Sequence, residues 1–301
     1  MLLSTQNSFL RGMFGDFEAV DVLKNAGYDN VDLSMFHMSR PGSPFNEPDW
    51  EEYANKLKAY SDEKGIVYNQ SHLPFTFDWA KEGEWERTIK DTQYRALDIC
   101  GIMGVKYVVV HPIHHMVYPG HEQEIYDINM RYYSSLIPFC EKYGYKIAIE
   151  NMWQREQKTK RICHDTCSRM EELIRYIDGL GGTEHFVACL DIGHTSLVGF
   201  EPQDCIRELG HKYLHSLHVH DNDYTNDQHL IPGQGLLNWD EICRALADID
   251  YDGELTYEAD TFLKRFPRDM MPLAVKFMND VGNHLCDKIE KYKAEFAKQK
   301  N

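Results

Sequence analysis

The feature that most constrains this chain is an architecture that recurs without any recurrence of sequence. Glycines able to end a helix stand at Gly27, Gly65, Gly104, Gly144, Gly182, Gly210 and Gly253, each followed within a few residues by an apolar, β-rich run. Their spacing is roughly forty residues, the length of a helix, a strand and two loops. The runs read NVDLSMF, IVYNQSH, KYVVVHP, KIAIEN, FVACLD, LHSLHVH and ELTYEAD, and the opening LLSTQNSF makes eight. Such short, nearly continuous apolar runs fit strands covered on both faces, as in a parallel sheet. Between them the apolar positions take helical spacing. Trp85, Ile89, Ala96, Ile99 and Met103 form one stripe, and Trp239, Ile242, Leu246 and Ile249 another. Strand and helix alternating eight times predict an α/β fold, a single-domain (β/α)8 barrel over residues 1–301. From about residue 287 the stretch DKIEKYKAEFAKQKN reads as a charged, frayed extension of the last helix. A doubly wound open sheet is the competing fold, but STQNSFLRGMFG is not the glycine signature that such sheets usually carry after strand one.

Composition narrows the function classes. No apolar run approaches the roughly 18 to 20 residues of a membrane span. The opening MLLSTQNSFLRG lacks the basic segment and long apolar core of a secretory leader. The eight cysteines are scattered without a CxxC pair and read as small buried hydrophobes of a reducing compartment, so a cytoplasmic location is expected. A net charge of −16 disfavours non-specific binding to polyanions, because phosphate contacts need Lys and Arg. No membrane or nucleic-acid partner is therefore expected, and homo-oligomerisation stays open.

In a barrel of this kind the carboxyl ends of the strands converge on one face, which carries the chemistry. The polar residues ending six successive runs are His72, His111, Glu150, Asp191, His220 and Glu258. Any one of them alone would be an ordinary structural polar residue; six in succession are not explained that way. Ionised carboxylates gathered on one face repel and resist desolvation, so a positive charge belongs among them. Glu150, Asp191, His220 and Glu258 form an oxygen and nitrogen donor set without thiolate, which suits one divalent ion. Mn²⁺ is the preferred assignment, with Co²⁺, Mg²⁺ or Zn²⁺ as alternatives. His218 and His220 share a strand face; His220, nearer the carboxyl end, is assigned as the ligand and His218 as a supporting or core histidine.

The loops add further candidates. The stretch LHVHDNDYTNDQHLIPGQGLLNW contains His218, His220 and His229 without one Lys or Arg, and Asp227 with His229 suggests a second metal cluster. His194 lies three residues beyond Asp191, in reach of the same mouth. Glu156 is a candidate for a substrate hydroxyl, and Phe75, Trp79 and Trp153 for a wall that excludes water. CHDTC, at the start of a helical stretch, matches no common zinc finger and is read as structural thiols. PGQG is read as a turn into the helix at Trp239.

With IENMWQRE (Glu150 to Glu156), LDIGH (Asp191 to His194), HVHDND and HLIPGQG in this order, the chain resembles the xylose-isomerase-like TIM barrel superfamily. That superfamily holds sugar isomerases and epimerases together with the endonuclease IV family. The resemblance implies one metal on Glu150, Asp191, His220 and Glu258, and substrate contacts from His194, with His72, His111, Glu156 and Trp153 around it. It implies a metal-dependent isomerase or epimerase acting on a small sugar or polyol carbonyl compound. Glu150 and Glu258 would exchange a proton with carbon on opposite sides of an enediolate, which the metal stabilises as a Lewis acid. A dehydratase or lyase would share the first step. The alternative implied by the same resemblance is a zinc-dependent nuclease for abasic DNA, in which His72, His111, His194, Asp227 and His229 complete a three-ion set. Loops without Lys or Arg after strands four, six and seven weigh against it. Asn226 stands where free-ketose 3-epimerases carry an arginine, which leaves room for another polyol such as an inosose, or for a keto-acid.

Overall fold

The computed structural model describes residues 1–75, 92–114 and 117–299. All eight expected runs form strands: β1 Leu2–Thr5, β2 Asn30–Ser34, β3 Val67–His72, β4 Tyr107–Val110, β5 Lys146–Glu150, β6 Phe186–Asp191, β7 Leu214–His218 and β8 Glu254–Tyr257. β2 to β7 pair in sequence order and in parallel, and β1 pairs in parallel with β8, Leu3 opposite Leu255. Two single-residue bridges close the ring, Gln6 to Asp32 between β1 and β2, and Val219 to Tyr257 between β7 and β8. The amide of Gln6 donates to the Tyr257 carbonyl at 2.8 Å, and that of Val219 to Thr256 at 2.8 Å. The result is the (β/α)8 barrel.

Helices return the chain between strands. Those at Asp16–Ala26, Trp50–Lys64, Tyr94–Met103 and Ile137–Tyr143 each end at a glycine in the left-handed conformation, Gly27, Gly65, Gly104 and Gly144. Left-handed backbone costs a β-carbon-bearing residue more than it costs glycine, which is why these positions were legible as helix ends. Ala96, Ile99 and Met103 are buried on their helix as their spacing requires; Trp85 and Ile89 lie outside the described residues. Outward-facing Val108, Val110, Ile147 and Ile149 pack against the helices, while Tyr107, Val109, Ala148, Val187 and Cys189 form a small apolar layer of their own. Alternation along a strand makes this division. Among the described residues no helix is long and apolar enough to cross a membrane.

The last helix, Met271–Gln299, crosses the seam where β1 meets β8. Its charged outer half from residue 287 is docked, not frayed. Ile289 and Tyr292 are buried, the Tyr292 hydroxyl donates to Asp240 at 2.5 Å, and Lys293 donates to the Tyr251 carbonyl at 2.6 Å. A residue every third or fourth position facing inward is enough to hold a helix whose other faces are charged. At the seam, a β-carbon on Gly282 would meet the Leu3 and Tyr257 side chains below ordinary contact distance. Gly282→Val should therefore overpack the seam and destabilise the fold by about 1–3 kcal/mol. Chemical denaturation of the two proteins measures this directly; equal midpoints would mean that the helix is not pressed on the seam.

Candidate metal centre

The buried carboxylates and imidazoles at the strand ends form interlocking groups. One ligand atom each from Glu150, Asp191, His218 and Glu258 lies within 4.8 Å of the others, and all four residues are buried. His72 and His111 make a second group with Glu150; Asp191, His194 and His220 a third; His220, Asp227 and His229 a fourth. Glu150 is common to two of them. Its Oε2 stands 3.3 Å from His72 Nε2 and 3.0 Å from His111 Nε2, while its Oε1 is 3.2 Å from His218 Nδ1. The same His218 Nδ1 is 3.3 Å from Glu258 Oε2.

Three histidines are oriented by backbone carbonyls, which can only accept. His72 Nδ1 donates to Leu73 at 2.7 Å, His194 Nδ1 to Asn151 at 2.8 Å, and His229 Nδ1 to Glu258 at 2.7 Å. Each ring thereby turns Nε2 inward, the arrangement found around metal-binding imidazoles. Buried polar atoms left without a hydrogen-bond partner include Glu150 Oε2, His111 Nδ1, both nitrogens of His218, His220 Nδ1 and Asp227 Oδ1. Unsatisfied buried groups cost about 1–3 kcal/mol each, so a cluster of them calls for an occupant. Donor types, burial and convergence all fit a divalent cation.

Local sequence explains the placement. Asn151 ties β5 to β6, donating to the Asp191 carbonyl at 3.1 Å and accepting the Asp191 amide at 2.7 Å. Asp191 then caps the helix Ile192–Leu197 by accepting the His194 amide at 2.7 Å. Gly193 has no side chain because a β-carbon there would overlap the His220 ring. Asp221, despite its neighbours, is structural: its carboxylate accepts the Gly233 amide at 2.8 Å and Trp239 Nε1 at 2.9 Å, fixing the PGQG turn.

Burial pushes Glu150 up, but the facing His218 and His111 outweigh it and hold the carboxyl well below its ordinary range. Glu258 goes the other way, raised by burial and by the charge of Glu150. Burial lowers His111 to about 4. His194 and His218 resist the same burial, His194 raised by Asp191 and Asp227 and His218 by Cys189, Glu150 and Glu258, and His229 is raised to about 10 by Asp227 and Glu258.

A cavity of about 380 Å³ opens over the donors, lined by Phe75, Trp153, His194 and His229 among others. Phe75 and Trp153 thus stand where a wall was expected; Trp79 lies outside the described residues. His114 also lines this cavity and was missed from sequence. Its Nδ1 is 3.1 Å from Asp165, a fully buried carboxylate fifty-one residues away in the chain, so its other nitrogen faces the cavity. No local pattern announces that pair.

Two expectations need correction. Glu156 does not face the cavity. It sits in the hairpin that pairs Trp153–Arg155 with Ile162–His164, and its carboxylate accepts the amides of Lys158 and Thr159 at 3.0 and 2.5 Å. CHDTC accordingly forms the end of that hairpin and a turn, and the helix starts later, at Met170. Second, the histidine beside Glu150 and Glu258 is His218, not His220. β7 ends at His218, and beyond it His220 turns towards Asp191, its Nε2 at 3.0 Å, and stacks on His229 at 4.2 Å between centroids. His72, His111, Asp191, His194, Asp227 and Glu258 stand around the same mouth.

The chain belongs to the xylose isomerase-like TIM barrel family, whose model matches residues 20–280. It is 31% identical to an uncharacterised protein of Methanocaldococcus jannaschii over 155 residues, 50% of each chain. It is 35% identical to the D-psicose 3-epimerase of Enterocloster bolteae over 94 residues, 31% of this chain and 28% of the epimerase. The chain thus spans half or less of the length of these curated relatives. Among solved structures, a D-tagatose 3-epimerase-like protein superposes with a TM-score of 0.72 at 19% identity, covering 97% of this chain and 99% of that one. The 3-keto-D-glucoside 4-epimerase of E. coli gives 0.70 at 15%, with 93% and 99% covered. The IolI protein with a bound zinc atom gives 0.69 at 19%, with 97% and 99% covered. At these identities the structural likeness establishes the fold.

The raised histidines set a pH dependence. Protonated His229 stabilises the metal-free fold fully below its unfolded value of 6.5, and this is lost as pH rises through about 10. His218 is raised as well, and a cation held by the four-residue group must displace its proton. Adding Mn²⁺ to metal-free protein at pH 7 in weak buffer should release protons, and affinity should rise between about pH 6 and pH 8. An indicator dye reads the release; uptake of the ion without it would mean that the imidazoles are neutral beforehand.

Proposed function

We propose that this protein is a metal-dependent isomerase or epimerase of a small sugar or polyol carbonyl compound, a cytoplasmic enzyme formed by a single barrel domain. The observation that carries the reading is the pair Glu150 and Glu258. Both are buried at one donor cluster beneath a ligand-sized cavity, and their environments drive their proton affinities apart, the mark of an acid and base pair. The psicose, tagatose and keto-glucoside epimerases among the similar proteins support the substrate class.

Glu150, Asp191, His218 and Glu258 would hold the ion, with His220 beside Asp191. Mn²⁺ suits a set dominated by carboxylates, with Co²⁺, Mg²⁺ or Zn²⁺ as alternatives; IolI holds zinc. When bound, the ion supplies positive charge beside the substrate carbonyl oxygen as a neighbouring C–H proton leaves. Glu150, held ionised, takes that proton on a carboxylate oxygen, and Glu258, which holds its proton more tightly, returns one from the other side. His194 and His114, each fixed through Nδ1, hydrogen-bond substrate oxygens through Nε2. Phe75 and Trp153 limit the access of water. A lyase or dehydratase would use the same first step and then expel a leaving group.

A second reading has its own observation. His72 and His111 share Glu150 with the four-residue group, and Asp227 and His229 form a further group with His220, an arrangement able to hold more than one ion, as in the abasic-site nucleases of the superfamily. The net charge of −16 weighs against a duplex partner.

Glu150→Gln and Glu258→Gln should each lower turnover by a factor of about 10² to 10⁴ while the barrel stays folded. Near-normal turnover in either variant, with metal still bound, removes that glutamate from the chemistry. The metal-loaded enzyme should exchange a carbon-bound proton of a ketose, inosose or keto-acid with deuterium in heavy water. Exchange should cease on chelation and return best with Mn²⁺ or Co²⁺. An abasic duplex in the same solution should stay intact. Metal-dependent incision without exchange on any carbonyl compound establishes the nuclease reading instead, and elemental analysis adds one ion per chain against three.

A further inference from the structure

A second, larger cavity of about 660 Å³ adjoins the one over the donors, and the two share Phe75, His229 and Glu258 in their walls. We infer that it is the subsite for a second sugar unit, so that the substrate is a glycosidically linked keto-sugar and not a free monosaccharide. This rests on the sugar isomerase or epimerase reading above.

Size is the first argument. The 380 Å³ over the donors already falls within the ~300–1,000 Å³ of a complete small-molecule site, and one sugar ring is a small ligand on that scale. The larger space is therefore surplus to a monosaccharide, and its shared wall lets one molecule extend from the first cavity into the second.

The lining is the second argument. Phe36 and Phe75 stack with centroids 4.5 Å apart and planes 15° from parallel, and Phe75 remains 47% exposed although it stands over the most polar part of the protein. An exposed aromatic platform beside polar groups matches the two faces of a sugar ring, C–H on one side and hydroxyls at the edge. Gln6, Ser8 and Ser39 add neutral polar groups to the same space. Ser8 and Ser39 carry hydroxyls that both donate and accept, as sugar hydroxyls require.

Charge is the third, and it separates a sugar from a phosphate on the same carbon. Lys264 is neutralised by Asp260 at 2.8 Å and His229 faces Asp227 at 3.2 Å, while Arg40 lies exposed at the rim. Paired charges and one solvated guanidinium at the rim do not concentrate an anion.

The test is calorimetric titration of the Mn²⁺-loaded protein with fructose, with maltulose, leucrose and isomaltulose (glucose linked to C4, C5 and C6 of fructose), and with fructose 6-phosphate. At least one disaccharide should bind about tenfold or more tightly than fructose. That advantage should collapse in Phe36→Ala, and also in Ser39→Trp, which fills the cavity from an exposed position where folding is not at risk. Equal binding of fructose and every disaccharide overturns the subsite. So does a preference for fructose 6-phosphate over isomaltulose that disappears in Arg40→Ala, since the cavity would then serve an anion. Proton exchange in heavy water on the same sugars separates this from the parent reading: tight disaccharide binding without exchange on any sugar keeps the subsite and removes the isomerase.

Discussion

The mouth of this barrel is organised around keeping Glu150 ionised where water does not reach it. The carboxylate is 1% exposed, and the ring nitrogens of His72, His111, His194 and His218 stand within 3.6 Å of its two oxygens. An isolated buried carboxylate would take up a proton, and removing one partner from a buried ion pair costs about 3–5 kcal/mol. Four imidazoles from β3, from just beyond β4 and β6, and from β7 share that burden. They are held there by the ring of strands, so closure of the barrel is the precondition of the site's electrostatics.

Beside the small apolar layer, the interior below the mouth carries a polar column with a consequence for the site. Ser216 donates to Gln70 at 2.5 Å, Gln70 to Asp32 at 2.7 Å, and the other oxygen of Asp32 has no hydrogen-bond partner. His218 Nε2 lies 3.7 Å from Asp32, and its Nδ1 faces Glu150 and Glu258. The column thus places one carboxylate beneath His218 while two others face it from above. Pre-set rings need no reorganisation when charge moves, the property on which electrostatic catalysis depends. The same column is a reason for a histidine rather than an aliphatic side chain at the end of this strand.

The strands were readable because apolar runs buried on both faces and left-handed helix ends leave local marks, and the carboxylates because they close such runs. Glu150 and Asp191 are the last residues of their strands, and Glu258 follows directly after one. The choice between His218 and His220 was not readable in the same way. Both face the same side of a regular strand, but the register between β6 and β7 shifts at Ala188/Cys189, and β7 gives way to the closing bridge at Val219. Register is a property of the pair of strands, and one strand's sequence does not contain it. Glu156 failed for a related reason. The hairpin carrying it depends on pairing with residues near 163, where CHDTC had been read as helical, and a turn with free amides captures a carboxylate more readily than a distant ligand does. His114 and Asp165 meet only through tertiary structure.

The charge inventory of the mouth also orders its groups. Asp227 lies 3.2 Å from His229 and 3.7 Å from His194, so the outer group has one carboxylate between two imidazoles that carbonyls already orient. It can neutralise itself with protons. The inner group sets three carboxylates, Glu150, Asp191 and Glu258, around one imidazole, His218. Even with Glu258 protonated, two buried negative charges share that one ring, and the imidazoles flanking them are divided among several partners. Protons alone therefore satisfy the outer group better than the inner one, and a first divalent ion gains most at the inner group. That ordering leaves His194 and His229 as hydrogen-bonding groups on the cavity wall once a single ion is in place. It accounts for a ten-donor mouth without requiring every donor to hold a metal.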